Sequence, residues 1–326
     1  MLDAAGTSLT IGLMGQPGRI KLPMDACRLA IAAAMVLMLG RYFDAPAAAA
    51  DRLILRNLEI LTDVEVASFD EDGVVLRAPS AQGRARYTWD EIERGKVALD
   101  QSRFDELLAR LGPPLYQVRL RLKTGDYEGL AEPAERLYPT FAARTSQSAY
   151  LVCQAAAWSR IALGRREAAV EPVLRAAALL QSGAAAADGL PGARRPALDR
   201  ATGLCGELLP VWFDAAAAQA ALKGVQEAIR GLSQPRPLAA YVYYVSLALA
   251  AGAQEEADRV LPSLSATDPA AAGWREILLA QRDVQAGALG AAASRLRSAL
   301  PRLEGFARPV ALYWLGLAHS RADDEA

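Results

Sequence analysis

The sequence predicts a mainly α-helical chain, a superhelix of α–α hairpin repeats with a small β-meander at the N-terminal end. Three observations carry this. Alanine is the largest contributor to a hydrophobic content of 52%, while aromatics reach only 6%. Alanine is the strongest helix former and has little side chain to bury, so the helices should pack closely. The apolar period then changes from two to about 3.6 near residue 101. Finally, a Gly–Glu–Glu–Pro pattern recurs within the helical part.

The first element is a targeting segment, residues 1–50. Leu29 to Leu39 form an unbroken apolar run, preceded by Arg19, Lys21 and Arg28 and followed by Gly40 and Ala45-Pro-Ala-Ala-Ala-Ala50. A basic region, a short apolar stretch and small residues in an A-x-A pattern describe a secretory signal. The run is shorter than the roughly 20 residues of a spanning helix. Cleavage after Ala50 would leave Asp51 as the mature N-terminus, and Met24 is an alternative start. The competing reading is an uncleaved anchor, which would be the chain's one link to a membrane. Cys27 precedes the apolar run, the wrong side for lipoprotein attachment. Export to the periplasm or cell envelope implies an oxidising compartment, where Cys153 and Cys205 could pair. The simpler reading makes each a small buried hydrophobe on its own helix.

Residues 51–100 form the second element, a small β-rich head. Val64 and Val66 alternate with polar neighbours, Asp70-Glu-Asp-Gly73 precedes Val74-Val-Leu76, and Arg84 to Trp89 is another β-prone run. Asp-Gly between such runs is a hairpin signal. With a second turn at Pro79-Ser-Ala-Gln-Gly83, this predicts a three-stranded meander. Asp70, Glu71 and Asp72 lack the spaced ligands of a helix–loop–helix calcium site and read as a solvated turn. Tyr87 and Trp89 should cover the edge between sheet and helices. Forty residues bury too little surface to stand alone, so the head should lean on the helical body.

Residues 101–326 form the body. Ser102 is a candidate N-cap, followed by Phe104, Leu107, Leu108 and Leu111 at helical spacing, and Gly112-Pro-Pro114 is expected to end that helix. In Leu122-Lys-Thr-Gly125-Asp-Tyr-Glu-Gly-Leu-Ala-Glu132-Pro133 and Ile161-Ala-Leu-Gly164-Arg-Arg-Glu-Ala-Ala-Val-Glu171-Pro172, the Gly, Glu, Glu and Pro coincide. Each glycine should close one helix in the left-handed conformation and open a turn into the next. Weaker copies centre on Gly252 and Gly287. The interval from Gly164 to Gly252 has room for two more units, which makes five or six uneven hairpins.

This pattern resembles the tetratricopeptide-like repeat family over roughly residues 113–326. Ala311-Leu-Tyr-Trp-Leu315-Gly316-Leu-Ala318 resembles a first repeat helix, with Leu-Gly allowing close approach of its partner. Gly125-Asp126-Tyr127 resembles the turn between helices. The resemblance implies a curved superhelix with a concave binding face and a capping helix after the last repeat. The chain stops just after a first-helix pattern, so truncation or coverage by a partner is expected there. The layout, with Tyr87-Thr-Trp-Asp-Glu-Ile92, also resembles uncharacterised exported proteins of planctomycete-type bacteria, which implies no activity.

A loop insertion near residues 182–200 interrupts the helices. Loops of this length are often functional or disordered. Arg194 and Arg195, with Asp199, could grip an acidic ligand; the plainer reading is a flexible crossover with Trp212 and Phe213 anchoring it. Tyr241 and Tyr244 share a core face, whereas Tyr243 points elsewhere and is a candidate for the groove. Arg165 and Arg166, beside Glu167 at a helix start, are a further candidate carboxylate grip, against a surface salt-bridge reading. These five residues, Arg194, Arg195, Tyr243, Arg165 and Arg166, are the candidate partner-binding set.

Thirty-six basic and 37 acidic residues are interspersed, without the basic block that nucleic acid would require. One histidine and three cysteines leave little for metal sites or histidine acid–base chemistry. Neither a nucleophile elbow nor a phosphate loop occurs. The expectation is no enzyme and no cofactor. Instead the chain reads as an exported scaffold binding a peptide or protein partner. The alternatives are a self-assembling envelope component or, more remotely, a carbohydrate-processing enzyme built on an Asp/Glu pair.

Overall fold

A computed structural model of the chain describes residues 51–80, 83–185, 198–199, 202–232, 234–264 and 268–324. The expected targeting segment, with Met24 and Cys27, lies outside the described residues. The described chain is mainly helical with a small N-terminal sheet region. None of its helices is long and apolar enough to cross a membrane.

The head contains β1 (Asp51–Leu55), β2 (Ile60–Val64), β3 (Val66–Asp70), β4 (Gly73–Leu76), β5 (Arg86–Tyr87) and β6 (Ile92–Lys96). They form two antiparallel sheets of three strands, ordered β2-β1-β6 and β3-β4-β5. The expected meander is the second sheet alone. The first escapes a pattern reading because its strands are short and two of them bury a single residue, Leu61 in β2 and Ile92 in β6. Asp51 joins the two, its buried carboxylate accepting hydrogen bonds from Val66 N and Ala98 N, each at 2.6 Å. Trp89 sits beneath, fully buried, edge-on to Phe69 and Phe104 and donating Nε1–H to the Asp70 carbonyl at 2.7 Å.

The hairpin at Asp70–Gly73 forms as expected, with Asp70 paired to Gly73. The expectation that its acids are solvated holds for Asp70, which is exposed, and is corrected for Glu71 and Asp72. Glu71 Oε2 lies 3.0 Å from Arg144 and Oε1 lies 3.5 Å from Arg110. Asp72 Oδ1 accepts from the Ser146 hydroxyl at 2.6 Å, and Oδ2 lies 3.3 Å from Arg144. Three residues distant in sequence, Arg110, Arg144 and Ser146, thus turn an acidic loop into the joint between head and helices. A hydrogen bond from its own backbone amide, opposed by burial and reinforced by Arg144, Arg110 and Arg103, holds the Glu71 carboxyl below its ordinary value of 4.5. The folded state therefore binds this proton less readily than the unfolded chain. Its contribution is present above the unfolded value and is lost as pH falls through the folded one. Thermal unfolding should thus show a midpoint that is flat down to about pH 5 and falls below it. Glu71→Gln should flatten the fall; an unchanged slope would contradict the assignment.

The body contains α1 (Gln101–Thr124), α2 (Ala131–Phe141), α3 (Gln147–Ala162), α4 (Arg166–Gln181), α5 (Ala215–Gly231), α6 (Leu238–Ala250), α7 (Gln254–Val260), α8 (Pro269–Gln285), α9 (Leu289–Ala299) and α10 (Ala307–Asp324). The N-cap of α1 is Asp100, not Ser102; its side chain accepts from Arg103 N. Nor does α1 end at Gly112-Pro-Pro114. Leu107, Leu111, Leu115, Val118 and Leu122 form one buried stripe across the prolines, and this burial outweighs the cost of about 3 kcal/mol for an interior proline.

Four hairpin turns are built alike. Gly125, Gly164, Gly252 and Gly287 all have φ between 71° and 76°. After each, the next amide bonds five residues back: Asp126 N to Arg121 O, Arg165 N to Arg160 O, Ala253 N to Ala248 O, and Ala288 N to Asp283 O. This is a Schellman closure, which needs a left-handed residue and so favours glycine. The offset of the first two turns extends to a side-chain pair on the following helix, Glu132–Arg136 and Glu171–Arg175. Consecutive helices touch from α1 to α7 and from α8 to α10, and so do alternate ones: α1 with α3, α4 with α6, α6 with α8, and α8 with α10.

The count of five or six hairpins is corrected to these four among the described residues. Between α4, which completes the Gly164 hairpin, and α6, which begins the Gly252 hairpin, the described residues hold a single α-helix, α5. The described part of the crossover is not loose. Leu204, Cys205 and Leu208 are fully buried, Ala239 N donates to Thr202 O, and Trp314 Nε1 donates to Pro210 O. On α10 the buried stripe is Ala307, Val310, Ala311, Trp314 and Ala318. Gly316 faces open space and Leu312 and Tyr313 are exposed, so the expected close approach at Leu-Gly does not occur among the described residues.

Candidate functional site

A recess of about 770 Å³ lies between the start of α4 and one face of α5. Its size falls within the roughly 300–1,000 Å³ of ligand pockets. It exists because one wall is made of side chains that stop at Cβ. Ala217, Ala220, Ala221 and Gly224 follow i, i+3, i+4, i+7 along α5 and share a face. The neighbouring stripe, Ala218, Val225 and Ala228, is buried against the core.

The opposite wall is polar and mostly paired. Arg160, near the end of α3, grips Glu135 of α2 with both forks, Nε to Oε1 at 2.8 Å and Nη2 to Oε2 at 2.9 Å. Its remaining Nη1 donates to the Ala168 carbonyl, and the guanidinium lies 4.7 Å from the centre of the Tyr138 ring. The Arg160 hydrogen bond outweighs burial and, with the charges of Arg160 and Arg165, lowers the Glu135 pKa. Glu135 therefore stays ionised at neutral pH and is a poor general acid. Glu171 is held by Arg175, whose Nη1 also ties down the Ala142 carbonyl.

Of the expected site residues, Arg165 and Arg166 do meet at this cavity, in different roles. Arg166 is structural: it donates to the carbonyls of Trp212 and Leu209 and lies over the Phe213 ring. Glu167 is buried and accepts from Asp214 N at 2.7 Å, fixing the start of α5. Neither is a surface ion pair, because their partners are backbone groups of the crossover. Arg165, the N-cap residue of α4, is exposed, and its side chain has no hydrogen-bonded partner among the described residues. Trp212, expected as packing, is instead 53% exposed at the rim, while Phe213 beside it is buried.

Tyr243 is corrected outright. It is fully buried, and its hydroxyl accepts from Cys205 N at 2.9 Å. Within helix α6, Val242 to Leu249 are all buried, so Tyr243 points into the core rather than to a groove. Arg194 and Arg195 lie outside the described residues. Cys153 and Cys205 are both free and buried. Burial pushes each thiol up to about 12, with a hydrogen bond to Glu207 contributing at Cys205. The small-hydrophobe reading holds for both, although Cys205 sits in the crossover rather than on a helix.

The recess thus offers a small apolar wall, an exposed indole and one uncommitted guanidinium. Its carboxylates are engaged by arginines or backbone amides. No protein-family model, curated protein or solved structure matches the chain.

Proposed function

We propose that the chain is an exported protein-interaction scaffold, a tetratricopeptide-like stack of α–α hairpins that takes an extended peptide of a partner protein into the α4–α5 recess. The four alike Schellman turns and the contacts between alternate helices support a stacked-repeat arrangement. Export rests on the signal pattern of residues 1–50. Cleavage after Ala50 would leave β1, which begins at Asp51, intact.

The observation that carries the binding role is the recess itself. Its Ala217–Gly224 wall admits apolar side chains at close range, Trp212 supplies an aromatic anchor of the kind that dominates interfaces, and Arg165 presents a fork for a peptide carboxylate. The test is selection of peptides from a displayed library on the full-length chain. Enriched peptides should bind one to one. Truncating a central aromatic typically costs 2 kcal/mol or more, so Trp212→Ala should weaken them by about tenfold or more. Arg165→Glu should weaken those with an acidic end. Failure to enrich any peptide, or affinities indifferent to both substitutions, would remove the recess as a binding site.

A further inference from the structure

A second, smaller cavity of about 250 Å³ lies past the recess, at the other end of α5. Three arginines line it: Arg230 from the last turn of α5, Arg236 from the segment before α6, and Arg259 from α7. One carboxylate, Glu256, lies among them and is engaged. It accepts from the Tyr244 hydroxyl and lies 3.5 Å from Arg259. Arg230 and Arg236 have no hydrogen-bonded or ion-paired partner among the described residues, and Arg236 Nε is buried and bare. A buried donor without an acceptor is costly, and the cost is greater when it belongs to a charged group. Tyr241, Ile229 and Val260 also line the cavity.

We propose that this cavity binds a phosphate monoester carried on a single small ring. The charge count selects the anion. Two guanidiniums are uncompensated, and a phosphate monoester carries about −1.5 to −2 at neutral pH, whereas a carboxylate or sulfate ester carries one negative charge. Arginine's planar fork matches the tetrahedral oxyanion, and the bare Nε of Arg236 gains an acceptor. The volume selects the body. It lies below the usual range for drug-sized ligands, roughly 300–1,000 Å³, so it suits one ring against Tyr241, Ile229 and Val260 rather than an extended chain. The site is independent of the peptide reading, since it shares no lining residue with the recess.

The experiment is calorimetric titration of the full-length chain with a hexose 6-phosphate, the same hexose unphosphorylated, a hexose 6-sulfate and inorganic phosphate, at one ionic strength. The phosphorylated hexose should bind one to one and more tightly than the sulfate. Inorganic phosphate should bind more weakly, and the free hexose not at all. Arg230→Gln changes an exposed side chain and leaves the core intact. A charge-assisted hydrogen bond contributes about 1.5–3 kcal/mol, so the loss should be about tenfold or more. Arg236→Gln should act the same way. No saturable heat with either phosphate probe, equal affinity for the phosphorylated and free hexose, or an unchanged affinity in Arg230→Gln would each overturn the proposal.

Discussion

Trp89→Ala should lower the free energy of unfolding by about 3–5 kcal/mol, the range for removing a large buried aromatic. The side chain is wholly buried and packs between Phe69 of β3 and Phe104 of α1, so its loss opens a cavity where sheet and helix meet. It also leaves the Asp70 carbonyl without the indole donor, at the entrance to the acidic turn. Trp89→Phe separates the two effects. It keeps most of the packing and should cost nearer 1 kcal/mol, the net value of one hydrogen bond. Chemical denaturation measures both, and a loss under about 1 kcal/mol for Trp89→Ala would mean that the head is not held through this residue.

Gly73→Ala should be of similar size, for a different reason. Gly73 has φ of 138°, a conformation that side chains rarely adopt. A Cβ there would lie 2.3 Å from the Tyr87 carbonyl oxygen, which belongs to the backbone of β5 and cannot swing away. Strain at such a position costs about 1–3 kcal/mol by itself. Relieving the clash would also part β4 from β5 and shift the turn that Arg144 and Ser146 hold. The expected readout is an earlier denaturation midpoint with a flatter fall of stability at acid pH, because Glu71 loses part of what lowers its pKa. Wild-type behaviour would show that the turn has room to move.

The contrast between these two residues explains what could be read in advance. Glycines at hairpin turns were legible because a left-handed backbone restricts the choice of residue. All four glycines named from the sequence adopt it. The Asp70–Gly73 hairpin was legible for the same reason. The sheet β2-β1-β6 was not, because its strands have five residues each and β2 and β6 bury only one residue apiece, Leu61 and Ile92, which leaves no alternation to read. Helix α1 passes through two prolines because tertiary burial on one stripe overrides local preference, and no local rule contains that term. At the recess, Arg165 and Arg166 were singled out together, yet only Arg165 remains uncommitted. The groups that engage Arg166 lie 43 and 46 residues away, in the crossover. The Ala217–Gly224 wall was invisible, since in a chain so rich in alanine nothing marks those four as lining a space. The arginines of the smaller cavity were equally silent, being spread over α5, the segment after it and α7.

The most direct test of the central claim fills the recess without touching its charges. Ala220 is exposed on the α5 wall, so Ala220→Trp should leave the thermal midpoint unchanged while occupying the space between α5 and Arg165. The measurement is the dissociation constant of a library-selected peptide for the wild-type chain and for Ala220→Trp. The account predicts a loss of about tenfold or more, equivalent to 1.4 kcal/mol or more. An unchanged dissociation constant at an unchanged thermal midpoint would contradict it.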